Sequence, residues 1–464
     1  MESLPPWLPT IDKAAGPLYL AIADAIAEDL AAGRLAPGRR LPAQRQLADQ
    51  LKVDFTTVTR GYSEARRRGL VEARVGQGTF VAAPLMPVDA PPAPSRRRAA
   101  DLSMNLPPLF DDGALTERMW AGVAGVRDGG GISLLLDYQP PAGALADRAA
   151  GAVWLHPRLP ELEADRVLIA AGAQSALAAI LPLLAGQGDL VYAEALTFPG
   201  FRALARQLGV KLVGIEMDGE GLSPEALDAA CRTQTPKAIY CTPTLHNPTT
   251  ATMSAQRREA IAGIARRYGV PIIEDDAYAA LPSVPVAPLA AFAPELTWYV
   301  GGVAKALSPA LRIAYVAAPD GRQAARLATA LRATIGMASP LNAAIVTRWI
   351  QDGVAADVCT AIRQETAARY GIARGLLAEG VLKGRPDAFH MWLNLPPGWT
   401  RGGFLARLGP VGAGVVASDA FSLASAPPEA VRIGLGAAPS RDDAAHALTR
   451  IRDLLGEDPV LSIV

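Results

Sequence analysis

This 464-residue sequence has no surplus charge of either sign: 45 Lys and Arg are matched by 45 Asp and Glu. A neutral chain does not hold nucleic acid through its overall field, so any such binding must come from a local basic patch. Cysteine is scarce too. Cys231, Cys241 and Cys359 have neither paired spacing nor a histidine at ligand spacing. That excludes a disulfide framework and a zinc site, and it points to a reducing compartment. The opening residues, MESLPPWLPTIDK, lack the basic and then apolar stretches of a signal peptide, so the expectation is a cytoplasmic protein with no membrane partner. Only Val167 to Gly186 approaches the length and apolarity of a membrane span. Gly172, Gln174, Ser175 and Pro182 interrupt it and no Lys/Arg cluster flanks it, so a buried strand, a turn and a buried helix are expected there.

What is present is a globular composition, 50% hydrophobic and 19% charged, on a chain too long for one ordinary domain. Leu18, Ile22, Ile26 and Leu30 fall four apart, the stripe of an amphipathic helix over Leu18 to Ala32 ended by Gly33. The pattern then predicts a short helix from Ala43 to Leu51, a turn through Lys52 to Asp54 and a second helix from Phe55 to Gly69. A hairpin over Leu70 to Val81 follows, with Gly76-Gln77-Gly78 at its tip. From Gly33 to Arg74 there are ten Lys/Arg against four Asp/Glu. Helix, turn, helix and a glycine-tipped hairpin make a winged helix, whose second helix enters the major groove of double-stranded DNA. The hydroxyls of Thr56, Thr57 and Thr59, with Arg60, suit phosphate and base-edge contacts near that helix's start. The run Arg66 to Arg68 reads instead as a solvated helix face.

The stretch LPAQRQLADQLKVDFTTVTRGYSEARRRGL, followed by GQGTFV, resembles the GntR-type DNA-binding domain. The resemblance implies that Arg45, Thr56, Thr57, Gly76 and Gln77 correspond to DNA-contacting positions. Asp54-Phe55 departs from the Ser-Arg common in that family and removes a phosphate or base contact. Residues 82–100, AAPLMPVDAPPAPSRRRAA, are rich in Pro and Ala without an apolar period, the composition of an extended linker. The expected domains are therefore residues 1–81, a linker over 82–100, and residues 101–464.

In the third segment, short apolar runs alternate with helix-length stretches. The runs are Arg166–Ala171, Asp189–Ala193, Lys211–Glu216, Ala238–Thr242, Pro271–Glu274, Leu296–Val300 and Ile313–Ala318. They read as an α/β domain with a mostly parallel, doubly covered sheet, which binds ligands at the carboxyl ends of its strands. Gly172-Ala173-Gln174-Ser175 would offer a phosphate the N-terminus of a helix. Lys305 follows another run among small neighbours, which lower an amine's pKa towards its nucleophilic form. Arg312, seven residues on, could clamp a phosphate. A lysine and a phosphate clamp are what pyridoxal phosphate requires.

YQPPAG, GAQSAL, HNPTT, EDDAY, the Ala304-Lys305 pair, PALRIAY and VRIGL together resemble a fold-type I aminotransferase. That resemblance implies a pyridoxal phosphate cofactor bonded to Lys305, with Asp275 (or, less well spaced, Asp276) on the pyridine nitrogen. Asn247 and Tyr278 would meet the phenolic oxygen, and Phe198 would stack on the ring. Ala173, Gln174 and Arg312 would hold the phosphate, with Tyr138 from the other subunit, and Arg432 would take an α-carboxylate. Lys305, Asp275 and Tyr278 would be the catalytic set. His246 and Arg202 would support the walls. Gly302 and Ala304 replace serines that commonly flank the lysine, removing two hydroxyl contacts to phosphate. Joined end to end, the two resemblances are those of the MocR family of transcriptional regulators. They imply a homodimer that binds DNA and senses the cofactor or its adduct with an amino acid or amine; a working aminotransferase carrying a DNA-binding domain is the alternative.

Overall fold

The computed structural model of the chain describes residues 7–9, 17–31, 34–35, 39–74, 78–81, 101–130, 132–378, 380–409 and 412–457. The chain divides into two compact units, residues 1–96 and 97–464.

The first unit holds α1 (Leu18–Ala31), α2 (Gln44–Leu51) and α3 (Phe55–Arg67), then the antiparallel pair β1 (Val71–Arg74) and β2 (Gly78–Val81). The stripe on α1 buries Ile22 and Ile26 against Leu47, Val58 and Tyr62. Gly61 lets α3 approach α1, since a Cβ there would stand 3.0 Å from Ile22 Cβ. Asp54 caps α3, its Oδ1 accepting from the backbone N–H (2.8 Å) and hydroxyl (2.5 Å) of Thr56. The helix stops at Arg67, two residues short of the predicted Gly69. Gly69 takes φ +73° and turns the chain into β1. Gly76, Gln77 and residues 82–100 lie outside the described residues.

The second unit is built on β3 (Val167–Ala170), β4 (Leu190–Glu194), β5 (Lys211–Ile215), a side hairpin of β6 (Met217–Asp218) and β7 (Gly221–Leu222), β8 (Ala238–Cys241), β9 (Ile272–Asp275), β10 (Thr297–Gly302) and β11 (Ala314–Ala317). Seven of these form one sheet in the order β3-β11-β10-β9-β8-β4-β5. All seven predicted apolar runs become strands of it. Only β11 departs from the parallel pattern, running antiparallel to both β10 and β3. Side chains alternate between two helical layers. Val167, Ile169 and Tyr315 pack with the helices Leu145–Leu155 and Pro340–Gln351, while Leu168, Ala170 and Val316 pack with Ala173–Leu184 and Gly321–Thr334. Burial on both faces explains the unbroken apolar runs.

A second sheet, antiparallel throughout, takes β12 (Leu382–Lys383), β13 (His390–Asn394), β14 (Val416–Ala417) and β15 (Ala430–Gly434) in the order β12-β13-β15-β14. Val431, Ile433, Phe404 and Leu448 form its core, which also swallows Leu102 from the start of the unit. No described helix is long and apolar enough to cross a membrane.

Candidate functional site

Parallel strands bring their carboxyl ends to one edge. That edge carries Ala173 and Gln174 after β3, Phe198 after β4, Asn247 after β8, Asp275 and Tyr278 at and after β9, and Lys305 after β10. The reversal of β11 adds Arg312, which precedes its strand. Because Ala314 pairs with Ala170, Arg312 comes to lie opposite Gly172. Gly172 has φ +87°, and a Cβ on it would stand 2.7 Å from Arg312 Nη2. Arg312 itself holds φ +52°, uncommon for a residue with a side chain. The guanidinium thus lies across the bare start of the helix Ala173–Leu184, a cradle for an anion. Gln174 donates from Nε2 to the Gly200 carbonyl at 3.0 Å, and its buried Oε1 has no partner. Phe198 packs over Gly200, where any Cβ would collide with its ring.

Asp275 is buried at the end of β9. Tyr240 Oη donates to its Oδ2 at 2.9 Å, while Oδ1 is buried without a partner. Burial pushes this carboxyl up to about 6; the nearby Asp276 adds to the rise, and the Tyr240 bond and Lys305 oppose it. Burial also brings the Lys305 amine down to about 8, helped by the positive charges of Arg432 and Arg312 and opposed by Asp275. An amine so placed is unprotonated about a tenth of the time at pH 7, far more than a solvated lysine, and it is the unprotonated form that acts as a nucleophile. Lys305 Nζ donates to the carbonyl of Asn105. Asp276, the adjacent acid, faces another network: Tyr299 Oη donates to it at 3.3 Å, and burial raises its carboxyl's pKa against the opposing charge of Arg258.

Tyr278 Oη accepts from Asn105 Nδ2 at 2.7 Å. Burial raises the phenol's pKa, so it stays protonated with its hydrogen free to donate. Arg432 donates to Asn247 Oδ1 at 2.9 Å and to the Ser103 carbonyl at 2.6 Å, and its guanidinium lies 5.1 Å from the centre of the Phe421 ring. All three partners are neutral, and its buried Nε has none. This is a cation built in without a counter-ion.

His246 Nδ1 meets Thr249 Oγ1 at 2.8 Å, and its carbonyl lies 3.0 Å from His390 Nε2; Arg202 donates to the carbonyls of Asp419 (3.0 Å) and Ala420 (2.5 Å). Both therefore brace the walls. Tyr138 is 94% exposed, outside the buried cluster. Sequence reasoning missed Ser103, Asn105 and Tyr240. Tyr240 reads as core within its strand, whereas Asn105 breaks the apolar pattern between Leu102 and Leu106.

The residues present fit pyridoxal phosphate. An unpartnered buried carboxylate oxygen suits a ring N–H, the Gly172–Arg312 cradle suits a phosphate, and a depressed lysine suits an aldehyde.

In the first unit, Arg45, Thr56 and Arg60 are exposed and Thr57 is half-buried at the start of α3. Arg45 lies 5.8 Å from the Phe55 ring centre, and Arg60 stands 4.3 Å above that of Tyr19. The Thr59 hydroxyl is committed internally, to Gln44 Oε1 at 2.9 Å and the Phe55 carbonyl at 3.0 Å. Arg67 and Arg68 pair with Glu64, and Arg68 also with Asp24, as a solvated face does.

Residues 18–81 match the bacterial regulatory proteins of the gntR family, and residues 128–451 match aminotransferase class I and II. HTH-type transcriptional regulator YdeF of Bacillus subtilis is 30% identical over 97% of this chain and 97% of its own. The chain belongs to the MocR family of transcriptional regulators. Another relative is the vitamin B6 salvage pathway transcriptional repressor PtsJ of Salmonella typhimurium, 30% identical over 81% of this chain and 84% of its own. The MocR-type second unit shares its fold with LysN, the α-aminoadipate aminotransferase of Thermus thermophilus solved with N-(5'-phosphopyridoxyl)-L-leucine. The TM-score is 0.69 at 22% identity, covering 77% of this chain and 92% of that one. DNA binding belongs to the first unit, and pyridoxal phosphate is the cofactor of the aminotransferase-like unit.

Proposed function

We propose that this MocR-type regulator binds pyridoxal phosphate in its second unit and through it reads an amino acid or amine, working as a cytoplasmic homodimer. Residues 1–81 are the DNA-binding domain, 82–100 the connection and 101–464 the effector domain. One constellation carries the reading: the depressed Lys305 amine, the unpartnered Asp275 oxygen, the Gly172–Arg312 cradle and the counter-ion-free Arg432 share one strand edge. Bound pyridoxal phosphate supplies an aldehyde and an electron-accepting ring. Lys305 offers its amine to that aldehyde, and Asp275 accepts from the ring nitrogen. Asn247, its oxygen already on Arg432, turns its NH₂ to the phenolic oxygen beside the Tyr278 hydroxyl. Phe198 flanks the ring. Ala173, Gln174 and Arg312 take the phosphate, with Tyr138 of the partner subunit, and Arg432 takes the ligand's carboxylate. On DNA, Arg45, Thr57 and Arg60 make the contacts, and Thr56, its hydroxyl hydrogen already on Asp54, offers its oxygen to a base-edge donor.

Two observations support the homodimer. Leu109, Trp120, Leu135, Leu136, Tyr138 and Leu145, all between residues 109 and 145, are exposed large side chains that a second subunit would cover. An apolar cavity of about 700 Å³ among residues 106–123, 307–311 and 436–439 opens beside the Lys305 loop, yet none of the polar site residues line it.

The second reading, a working aminotransferase with an attached DNA-binding domain, is favoured by the completeness of the same residue set. The visible spectrum of the cofactor-loaded chain, titrated with amino acids and amines, decides between them. A ligand that shifts the band and leaves it shifted marks a sensor. Bleaching that a keto acid reverses marks an enzyme. Lys305→Ala is expected to abolish the band.

A further inference from the structure

The strongest unassigned feature is the stretch Leu102–Leu106, where the chain enters the second unit. Leu102 is fully buried in the core of the smaller sheet, and its carbonyl accepts from Gly434 N at 2.7 Å. Gly434 and Gly436 let the stretch lie there, since a Cβ on either would collide with the carbonyls of Met104 and Leu106. From that anchor it passes directly through the polar site. The Ser103 carbonyl accepts from Arg432 at 2.6 Å, the Asn105 carbonyl accepts from Lys305, and Asn105 Nδ2 donates to Tyr278 Oη at 2.7 Å. Asn105 is 8% exposed, and its Oδ1 is buried without a partner.

We propose that residues 102–106 form a ligand-responsive strap, with Ser103 and Asn105 holding the two cations of the site until a ligand takes their place. The proposal rests on the reading of Lys305 and Arg432 as the ligand-binding pair. A backbone carbonyl is a neutral acceptor, and hydrogen bonds from a guanidinium to a carboxylate are shorter and about twice as strong as neutral ones. A ligand carboxylate arriving at Arg432 therefore displaces Ser103 O. When the free Lys305 amine condenses with an aldehyde, its two N–H hydrogens leave with the aldehyde oxygen as water, and Asn105 O loses the donor it accepts from. The two anchors thus report different events: Asn105 responds to cofactor loading, Ser103 to a ligand that carries a carboxylate. An amine without one leaves the Ser103 anchor closed, so the strap separates amino acids from simple amines. It does so at the point where the chain arrives from residues 82–100.

Met104, between the anchors, is 57% exposed, and the three native cysteines are buried. An environment-sensitive thiol label on Met104→Cys in the full chain therefore reports on the strap alone. Its emission is expected to shift on adding pyridoxal phosphate, and again with each amino acid that shifts the visible band. The matching amines lacking a carboxylate should produce no second shift. Hydrogen exchange over residues 101–106 of the unlabelled chain should quicken about tenfold in the same steps. Constant emission and constant exchange while the visible band registers both cofactor and amino acid would overturn the strap and leave the ligand site standing. If no amino acid moves the visible band, the effector reading fails instead. The cofactor step then decides the strap: a shift supports it and constant emission sinks it.

Discussion

The two candidate sites of this chain are built on opposite principles. The DNA-contacting candidates Arg45, Thr56 and Arg60 stand in water on the outside of a small helical unit. Asp275, Tyr278, Asn247 and Arg432 are all buried, with Lys305 partly so among them. An exposed site works by adding weak, salt-screened contacts, and losing one subtracts a little affinity. A buried site holds its charges with few partners, so each group's protonation and backbone geometry is set by the others. Substitutions in the first should therefore change how tightly the chain binds. Substitutions in the second should change what the site can do.

The pH dependence of cofactor capture tests the buried side most severely. Burial brings Lys305 down to about 8, so the reactive free amine grows with pH up to that value and then levels off. The rate at which added pyridoxal phosphate develops its visible band should approach a tenfold fall per pH unit well below the midpoint, or about fiftyfold in all between pH 8 and pH 6. An exposed lysine would instead keep gaining until about pH 10.4. A rate still climbing steeply past pH 9 would mean that the amine is solvated and would erase the contrast between the two sites.

Gly172→Ala should come next in size. The position has φ +87°, and the new methyl carbon would sit 2.7 Å from Arg312 Nη2, so both the backbone and the clamp are disturbed. Strain of this kind costs about 1–3 kcal/mol, and cofactor affinity measured by spectral titration should fall roughly tenfold or more. A change below about twofold would place the phosphate elsewhere.

Arg45→Ala sharpens the comparison from the exposed side. Loss of one phosphate contact should weaken binding to any duplex several-fold and lower the slope of log affinity against log salt by about 1. The cofactor spectrum should not change. A specificity change without a slope change would make Arg45 a base reader.

Legibility followed the same divide. The first unit could be read because its elements are neighbours in sequence, as the α1 stripe and the helix-turn-helix spacing show; the Asp54 cap and the turn at Gly69, which ends α3 at Arg67, were not legible in that pattern. In the second unit, the strands were visible as apolar runs, with ends displaced by one or two residues. A four-residue run does not encode direction, so the reversal of β11 was hidden, and with it the reason that Arg312 reaches Gly172. Tyr240 looks like any core aromatic until β8 lies beside β9 and its hydroxyl meets Asp275. Ser103 and Asn105 act 329 and 200 residues from their partners, Arg432 and Lys305. β12 and β14 are two residues each, too short to leave a pattern.

The smallest expected effect runs the other way, towards gain. Gly302 and Ala304 stand where the aminotransferase resemblance implies serines. The space at Gly302 is open, since a Cβ there would meet only Ala173 Cβ at 3.7 Å, an ordinary contact. Gly302→Ser therefore fits without moving the Gly172–Arg312 cradle and adds one hydroxyl near the proposed phosphate. A net hydrogen bond contributes about 0.5–1.5 kcal/mol, so cofactor affinity should tighten by about threefold while the pH midpoint of capture stays near 8. Tightening without a pH change would show that phosphate holding and amine activation are separable within one buried site. A shift of the midpoint would show that even this edge of the site is electrostatically coupled to Lys305.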